Sequence, residues 1–111
     1  MDYTFEKHLH NYACWTASRA VQRNFTTTEI IVKAIESTNL KRVDELNIQS
    51  ATDFDSFHRD CCNQLIRCFE TNKIRASYGR AAKIVAIYLK TSVVIRHSGE
   101  GKLAELAHPP I

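Results

Sequence analysis

One segment near the middle of the chain places its apolar side chains at steps of three and four residues. These positions are Phe54, Phe57, Cys61, Leu65, Cys68 and Phe69. Such spacing puts them on one face of an α-helix and turns the polar residues between them away. Thr52 or Asp53 is expected to cap the start of this helix and Asn72 to close it. A long one-sided helix must bury its apolar face against other elements, so it favours a helical bundle.

Two further one-sided helices are predicted before this segment. Asp2 caps the first, which runs to about Asn24. Its predicted apolar face consists of Phe5, Leu9, Tyr12, Ala13, Thr16, Ala17, Ala20 and Val21. Thr26 and Glu29 have the spacing of a capping box and start the second. We expect Asn39 to end the second helix in a left-handed conformation.

A fourth helix begins at Ser77 and is apolar on nearly every side as far as Leu89. A helix of this kind has several neighbours, so we predict that it lies at the centre of the fold. The β-branched segment 91–96 either continues this helix or is extended. Residues 102–107 predict a short last helix before Pro109.

The composition agrees with a helical domain. Three Gly and two Pro leave little material for turns, and 111 residues suffice for one core. We predict an all-α fold: a compact orthogonal bundle of four main helices plus a short C-terminal helix, formed by residues 1–111 as a single domain. Residues 40–52 form a connector with one helical turn. Because the sequence closes on Pro109, Pro110 and Ile111, either Ile111 docks on the core or the domain is a fragment of a longer chain.

Membrane and secreted classes are disfavoured by the sequence. No apolar stretch approaches the roughly 20 residues that cross a bilayer, and the N-terminus lacks the pattern of a secretory signal. We therefore expect a cytoplasmic protein with no membrane partner. Its cysteines are expected to be free thiols, mostly buried: Cys14, Cys61, Cys62 and Cys68.

Charge divides the chain into two unequal parts. Residues 1–70 hold eight Lys and Arg against ten Asp and Glu, whereas residues 71–111 hold seven against two. Between Thr71 and Gly99 there is no acid. The bases of this acid-free segment are Lys73, Arg75, Arg80, Lys83, Lys90 and Arg96. On the fourth helix Arg80, Lys83 and Lys90 lie within about 80° of one another and form a predicted basic ridge.

A line of cations suits the spaced charges of a polyanion. We therefore predict that these six bases bind nucleic acid or another polyanion. In the alternative interpretation the ridge is an ordinary solvated face whose long stems cover apolar surface. A second hypothesis is a protein-interaction or oligomerising module, with a symmetric homodimer as the expected state. Trp15 bears on it, because an aromatic face on the first helix is core if buried and a partner surface if exposed.

Signatures of enzymes are scarce in this sequence. His58, Asp60, Cys61 and Cys62 are the residue types of a thiol or zinc site, but consecutive helical positions point in different directions. Glycine-rich phosphate loops, G-x-S-x-G and H-E-x-x-H are missing. We predict no catalytic residue, no metal site and no cofactor. A third hypothesis is an enzyme whose site another chain completes.

One pair of segments resembles a known family. The residues are Tyr78, Gly79, Arg80, Ala81, Ala82 and Lys83 before an apolar helix, then His108, Pro109, Pro110 and Ile111. They resemble the core of helix-hairpin-helix DNA glycosylases over about a third of the chain, which implies an all-helical fold that binds DNA. The L-P-G-x-G hairpin of that family is missing before Gly79, and the sequence ends where its catalytic Asp is expected. The resemblance thus implies an incomplete, inactive domain of this type.

Overall fold

The described part of the chain contains four α-helices. A computed structural model describes residues 5–21, 25–45, 48 and 50–94, and within these ranges it contains helices and no strand. The α-helices are α1 (Phe5–Val21), α2 (Thr28–Glu36), α3 (Ala51–Thr71) and α4 (Tyr78–Leu89). A 3₁₀ helix, Leu40–Glu45, follows α2, and a π-helical turn, Lys90–Val94, extends α4. The predicted all-α class with four main helices is confirmed, and the orthogonal arrangement stays a prediction.

Hydroxyl side chains begin three of the helices. Thr27, Ser50 and Ser77 accept the backbone N–H three residues further on, at 3.3, 3.1 and 3.1 Å. Each bond satisfies a donor that the first turn of a helix leaves without a partner. The cap at Ser77 confirms the prediction for α4.

Three predicted helix ends are wrong by one to three residues. They are Thr26 at the start of α2, Asn39 at its end, and Thr52 or Asp53 at the start of α3. The structure uses Thr27, Ser37 and Ser50 instead. Each of these segments holds several neighbouring residues able to cap a helix, so the sequence alone does not select among them.

The end of α3 contains the one left-handed non-glycine residue of the described ranges. Asn72 closes the helix, as predicted, and its side-chain amide donates to the Cys68 carbonyl at 2.9 Å. Lys73 follows with φ 62°. The Ile74 N–H then donates back to the Phe69 carbonyl at 2.8 Å. This arrangement is a Schellman motif with lysine at the position that usually holds glycine.

As expected of a central helix, α4 packs against several elements: α1, α3 and the 3₁₀ helix. The helix α2, which was also expected around it, packs mainly against α1, α3 and the 3₁₀ helix. Its buried residues are Ala81, Ile84, Val85, Tyr88 and Leu89. They share one core with Leu65 and Phe69 of α3 and with Ala13 and Ala17 of α1. The small side chains on α1 allow the two helices to approach closely.

The buried stripe of α1 differs from the prediction. Phe5 and Tyr12, expected on the apolar face, are exposed, whereas His10 and Ser18 are buried. Both buried polar groups have partners: His10 Nδ1 lies 2.7 Å from the Tyr88 hydroxyl, and Ser18 Oγ donates to the Cys14 carbonyl at 2.8 Å. The hydrogen bonds of His10 and Ser18 offset the cost of removing these polar groups from water.

The remaining fold predictions fare differently. The described part of the connector contains the 3₁₀ helix, which is about two turns long where one turn was expected, and α3 already begins at Ala51. Residues 91–94 continue α4 as a π-helical turn, while residues 95 and 96, the predicted helix 102–107 and the position of Ile111 lie outside the described residues. All four cysteines are free and three are buried, with Cys68 half-buried, as predicted. The described helices include none with the length and apolarity needed to span a membrane.

Candidate polyanion interface

Three of the six predicted bases line one depression beside the N-terminus of α4. They are Arg75, Arg80 and Lys83. The depression is open to solvent and has a volume of about 570 Å³. The other described residues that line it are Ser77 and Gly79, and Ala20 and Val21 at the end of α1. We call this site the basic depression.

The other predicted bases are placed differently. Lys73 and Arg75 line a smaller depression of about 350 Å³, which Glu70 also lines. That carboxylate opposes the local positive charge, so this second depression suits an anion less well. Lys90 is exposed at the far end of α4, about 10 Å beyond Lys83 at 1.5 Å per residue. Arg96 lies outside the described residues.

The basic ridge on α4 is present but not uniform. Lys83 and Lys90 are exposed, whereas Arg80 is half-buried. The guanidinium carbon of Arg80 lies 4.5 Å from the ring centroid of Phe25, and Phe25 meets Phe69 edge-on at 5.0 Å. A cation held over an aromatic face keeps its charge and loses mobility. Arg80 is therefore a fixed cation at the basic depression, not a freely solvated one.

The helix end itself adds positive potential to the basic depression. The first turn of α4 carries no acidic residue. Ser77 Oγ accepts the Arg80 N–H, while the N–H groups of Tyr78 and Gly79 have no acceptor within the helix. Among the described residues, a Cβ at Gly79 would meet only Ser77 Oγ, at 4.0 Å, so this backbone is open to a ligand. Backbone donors and the helix dipole both favour an anion here.

A second acid-free segment faces the first, and sequence analysis missed it. Between Lys7 and Thr28 the sequence contains no Asp or Glu. Most of this segment is α1, which packs against the acid-free helix α4. The absence of acids from residues 7–28 can be read from the sequence. That this segment lies beside the acid-free helix α4 can be known only from the packing of the two helices. In the described part of the chain, α1 from Lys7 onward and α4 therefore carry Lys and Arg side chains and no carboxylate of their own.

Aromatic rings cover the face of α1 turned away from the core. Phe5, Tyr12 and Trp15 are 61%, 53% and 50% exposed. The rings of Tyr12 and Trp15 are nearly parallel, at 23°, with centroids 6.2 Å apart. The guanidinium carbon of Arg19 lies 5.3 Å from the Trp15 centroid. We call Tyr12, Trp15 and Arg19 the aromatic row. Because Trp15 is exposed and not part of the core, the row favours a surface that contacts a partner.

The thiols near His58 are not poised for chemistry. Cys62 Sγ lies 3.6 Å from His58 Nδ1. Burial raises the pKa of Cys62 and lowers the pKa of His58, the latter against the opposing charge of Asp55. Burial also raises the pKa of Cys61 to about 12. These thiols stay protonated near neutral pH. Among the described residues, no three His, Cys, Asp or Glu side chains are placed so that they could hold a metal ion together.

A polar cluster around the buried side chain of His10 was also missed by sequence analysis. His10 Nε2 lies 3.3 Å from Glu36 Oε2 and 3.5 Å from Cys14 Sγ, and Nδ1 meets the Tyr88 hydroxyl. These are the residue types of a thiol triad. However, burial, followed by the charge of Glu36, raises the pKa of Cys14 to about 12, and the side chain is 1% exposed. A protonated thiol is not a nucleophile, so the contacts of this cluster serve to link α1, α2 and α4. Glu36 and Tyr88 lie 26 and 78 positions away from His10 in the sequence, so no short sequence motif indicates the cluster.

Comparison of the chain with models of known protein families, with curated proteins and with solved structures finds no match. Of the residues that resemble helix-hairpin-helix DNA glycosylases, 78–83 form the first turns of α4, beside the basic depression. Residues 108–111 lie outside the described ranges.

Proposed function

We propose that the protein is a non-catalytic helical module that binds nucleic acid or another polyanion through the basic depression. One observation carries the proposal. Arg75, Arg80 and Lys83 line a single depression at the N-terminus of α4, and its described lining includes no carboxylate.

Each component of the basic depression suits phosphate groups. Arginine presents a planar fork that binds two phosphate oxygens at once, and lysine adds a mobile charge. The open end of α4 supplies backbone donors. Lys90 extends the cationic surface along α4 beyond the depression. Affinity from such contacts arises largely from counterion release, so it must fall steeply with salt.

The test uses two double variants that remove the same charge from different places. Arg75→Gln with Lys83→Gln changes exposed residues of the basic depression, whereas Lys33→Gln with Lys41→Gln changes exposed residues of α2 and the 3₁₀ helix. Arg80 is kept because its contact with Phe25 couples it to packing.

We expect the first variant to lower the slope of log affinity against log salt by roughly 1.4 to 1.8, at about 0.7 to 0.9 per lost phosphate contact. The control variant should keep the slope of the unmodified protein. Equal losses in both variants would show unspecific attraction. Failure of the unmodified protein to bind heparin or nucleic acid at low salt would end the proposal.

The exposed aromatic row favours a second candidate function, a protein-interaction or homodimerising module. Tyrosine, tryptophan and arginine are enriched where protein contacts are strongest. Sedimentation equilibrium tests it: a mass above 12.7 kDa that returns to the monomer value on Trp15→Ala supports the dimer. A monomer at high concentration contradicts it.

The remaining candidate function is an incomplete glycosylase-like domain. If it is correct, the protein should bind duplex DNA more tightly than single strands.

A further inference from the structure

The aromatic row and the basic depression belong to the same pair of helices. We propose that they act together and bind single-stranded nucleic acid, the row stacking unpaired bases and the depression holding phosphates. The inference rests on the proposed polyanion binding and names its ligand class.

The chemistry of the aromatic row matches unpaired bases. Bases stack on aromatic rings and on arginine guanidinium planes, and the row presents two rings and one guanidinium in sequence along α1. About half of Tyr12 and of Trp15 is open to solvent. In a duplex the faces of the bases are covered by their neighbours, so exposed rings on a helix surface favour a single strand.

The position of the row connects it with the basic depression. Arg19 directly precedes Ala20 and Val21, which form the α1 side of the depression. Trp15 and Ala20 are separated by about 7.5 Å along the axis of α1 and by about 140° around it, at 1.5 Å and 100° per residue. Over the surface of a helix about 10 Å wide this path is roughly 14 Å, or about four nucleotide steps at the 3.4 Å rise of a stacked strand. A strand of about ten nucleotides can therefore reach both sites.

Charge selects nucleic acid over a second copy of the chain. The acid-free segment 7–28 includes the whole row, and α4 beside it is also acid-free. If two copies of the chain met through this face, Arg19 and the cations of the basic depression would lie close to the same cations of the other copy. The repulsion between these like charges would oppose the dimer. A nucleic acid brings the opposite charge to the same surface.

Trp15 is the only tryptophan, so intrinsic tryptophan fluorescence reports on the row alone. The probes are a single-stranded oligothymidylate of about ten nucleotides, a duplex of equal length, and heparin, a polyanion without bases. We expect saturable quenching by the single strand, little by the duplex, and none by heparin although heparin binds. Trp15→Leu should weaken single-strand binding by roughly 5- to 150-fold and leave heparin retention unchanged. Phe5→Leu, an exposed aromatic outside the row, is the matched control.

The possible failures are distinguishable once circular dichroism shows that both variants are folded. If neither the strand nor heparin binds, the proposed function itself is wrong. If both bind but Trp15 emission is unchanged and Trp15→Leu keeps its affinity, polyanion binding stands and base stacking is wrong. If Trp15→Leu instead converts a dimer to a monomer without changing strand binding, the row is a protein contact and the inference is overturned.

Discussion

Raising the pH from 8 to 10 should destabilise the fold through two buried thiols. Cys14 and Cys61 are 1% and 0% exposed. Burial raises the pKa of each from 9.0 to about 12. In the folded protein both thiols therefore keep their protons at a pH where the unfolded chain has released them.

The sign and size of the effect follow from proton linkage. Above pH 9 the unfolded state binds fewer protons than the folded state, so the free energy of unfolding falls as pH rises. At pH 10 a thiol of pKa 9.0 is about nine-tenths ionised, whereas one of pKa 12 is almost fully protonated. Between pH 8 and pH 10 each cysteine therefore lowers the free energy of unfolding by about 1 kcal/mol or slightly more, and the pair lowers it by about 2 to 3 kcal/mol. The stabilisation is complete below pH 9 and is lost between pH 9 and 12.

The assay is urea unfolding followed by circular dichroism at pH 8 and pH 10, under reducing conditions. The Cys14→Ala and Cys61→Ala double variant loses buried volume and is less stable at pH 8, so only the difference between the two pH values is compared. We expect this difference to be about 2 to 3 kcal/mol smaller in the variant than in the unmodified protein. The same pH difference in both proteins would refute the burial argument for the two thiols.

Three further predictions concern local features. Ser77→Ala should remove the cap of α4 and lower the free energy of unfolding by about 1 kcal/mol in urea titrations, whereas Ser77→Gly should cost only a few tenths. Lys73→Gly should raise the free energy of unfolding by roughly 1 kcal/mol, since glycine adopts the left-handed conformation of this residue without strain. A lower free energy of unfolding in this variant would show that the lysine makes a compensating contact. In a thiol titration without reductant, half-buried Cys68 should react first in the folded protein and all four cysteines after denaturation; fewer than four would show a disulfide.

The core residues of α3 and α4 were predictable from the sequence, because the buried side chains of these helices are the apolar ones. The spacing on α3 and the apolar surface of α4 both identified core residues such as Leu65 and Ile84. α1 was different, because its position depends on small residues at the contact with α4 and on His10, whose partner Tyr88 lies 78 positions away. Such a pairing leaves no periodic signal, and it places the large rings of α1 outside.

The candidate site was predicted in part for the same reason. The missing acids of residues 71–99 are visible in the composition and identified Arg75, Arg80 and Lys83. Composition does not show that α1 forms a wall of the basic depression, or that Phe25 holds the Arg80 guanidinium. Both depend on contacts between distant segments. Lys90, by contrast, lies in the same acid-free segment but outside the depression.

The most direct test of the central claim is an NMR titration of the ¹⁵N-labelled protein with a short single-stranded oligonucleotide. We predict the largest shifts at the amides of Gly79 and Arg80, at the start of α4, and at the indole N–H of Trp15. Amides of α2 and the 3₁₀ helix, on the control surface of Lys33 and Lys41, should change little. Shifts concentrated on α2 and the 3₁₀ helix, or none at saturating oligonucleotide and low salt, would contradict the claim that the acid-free helices form the binding surface.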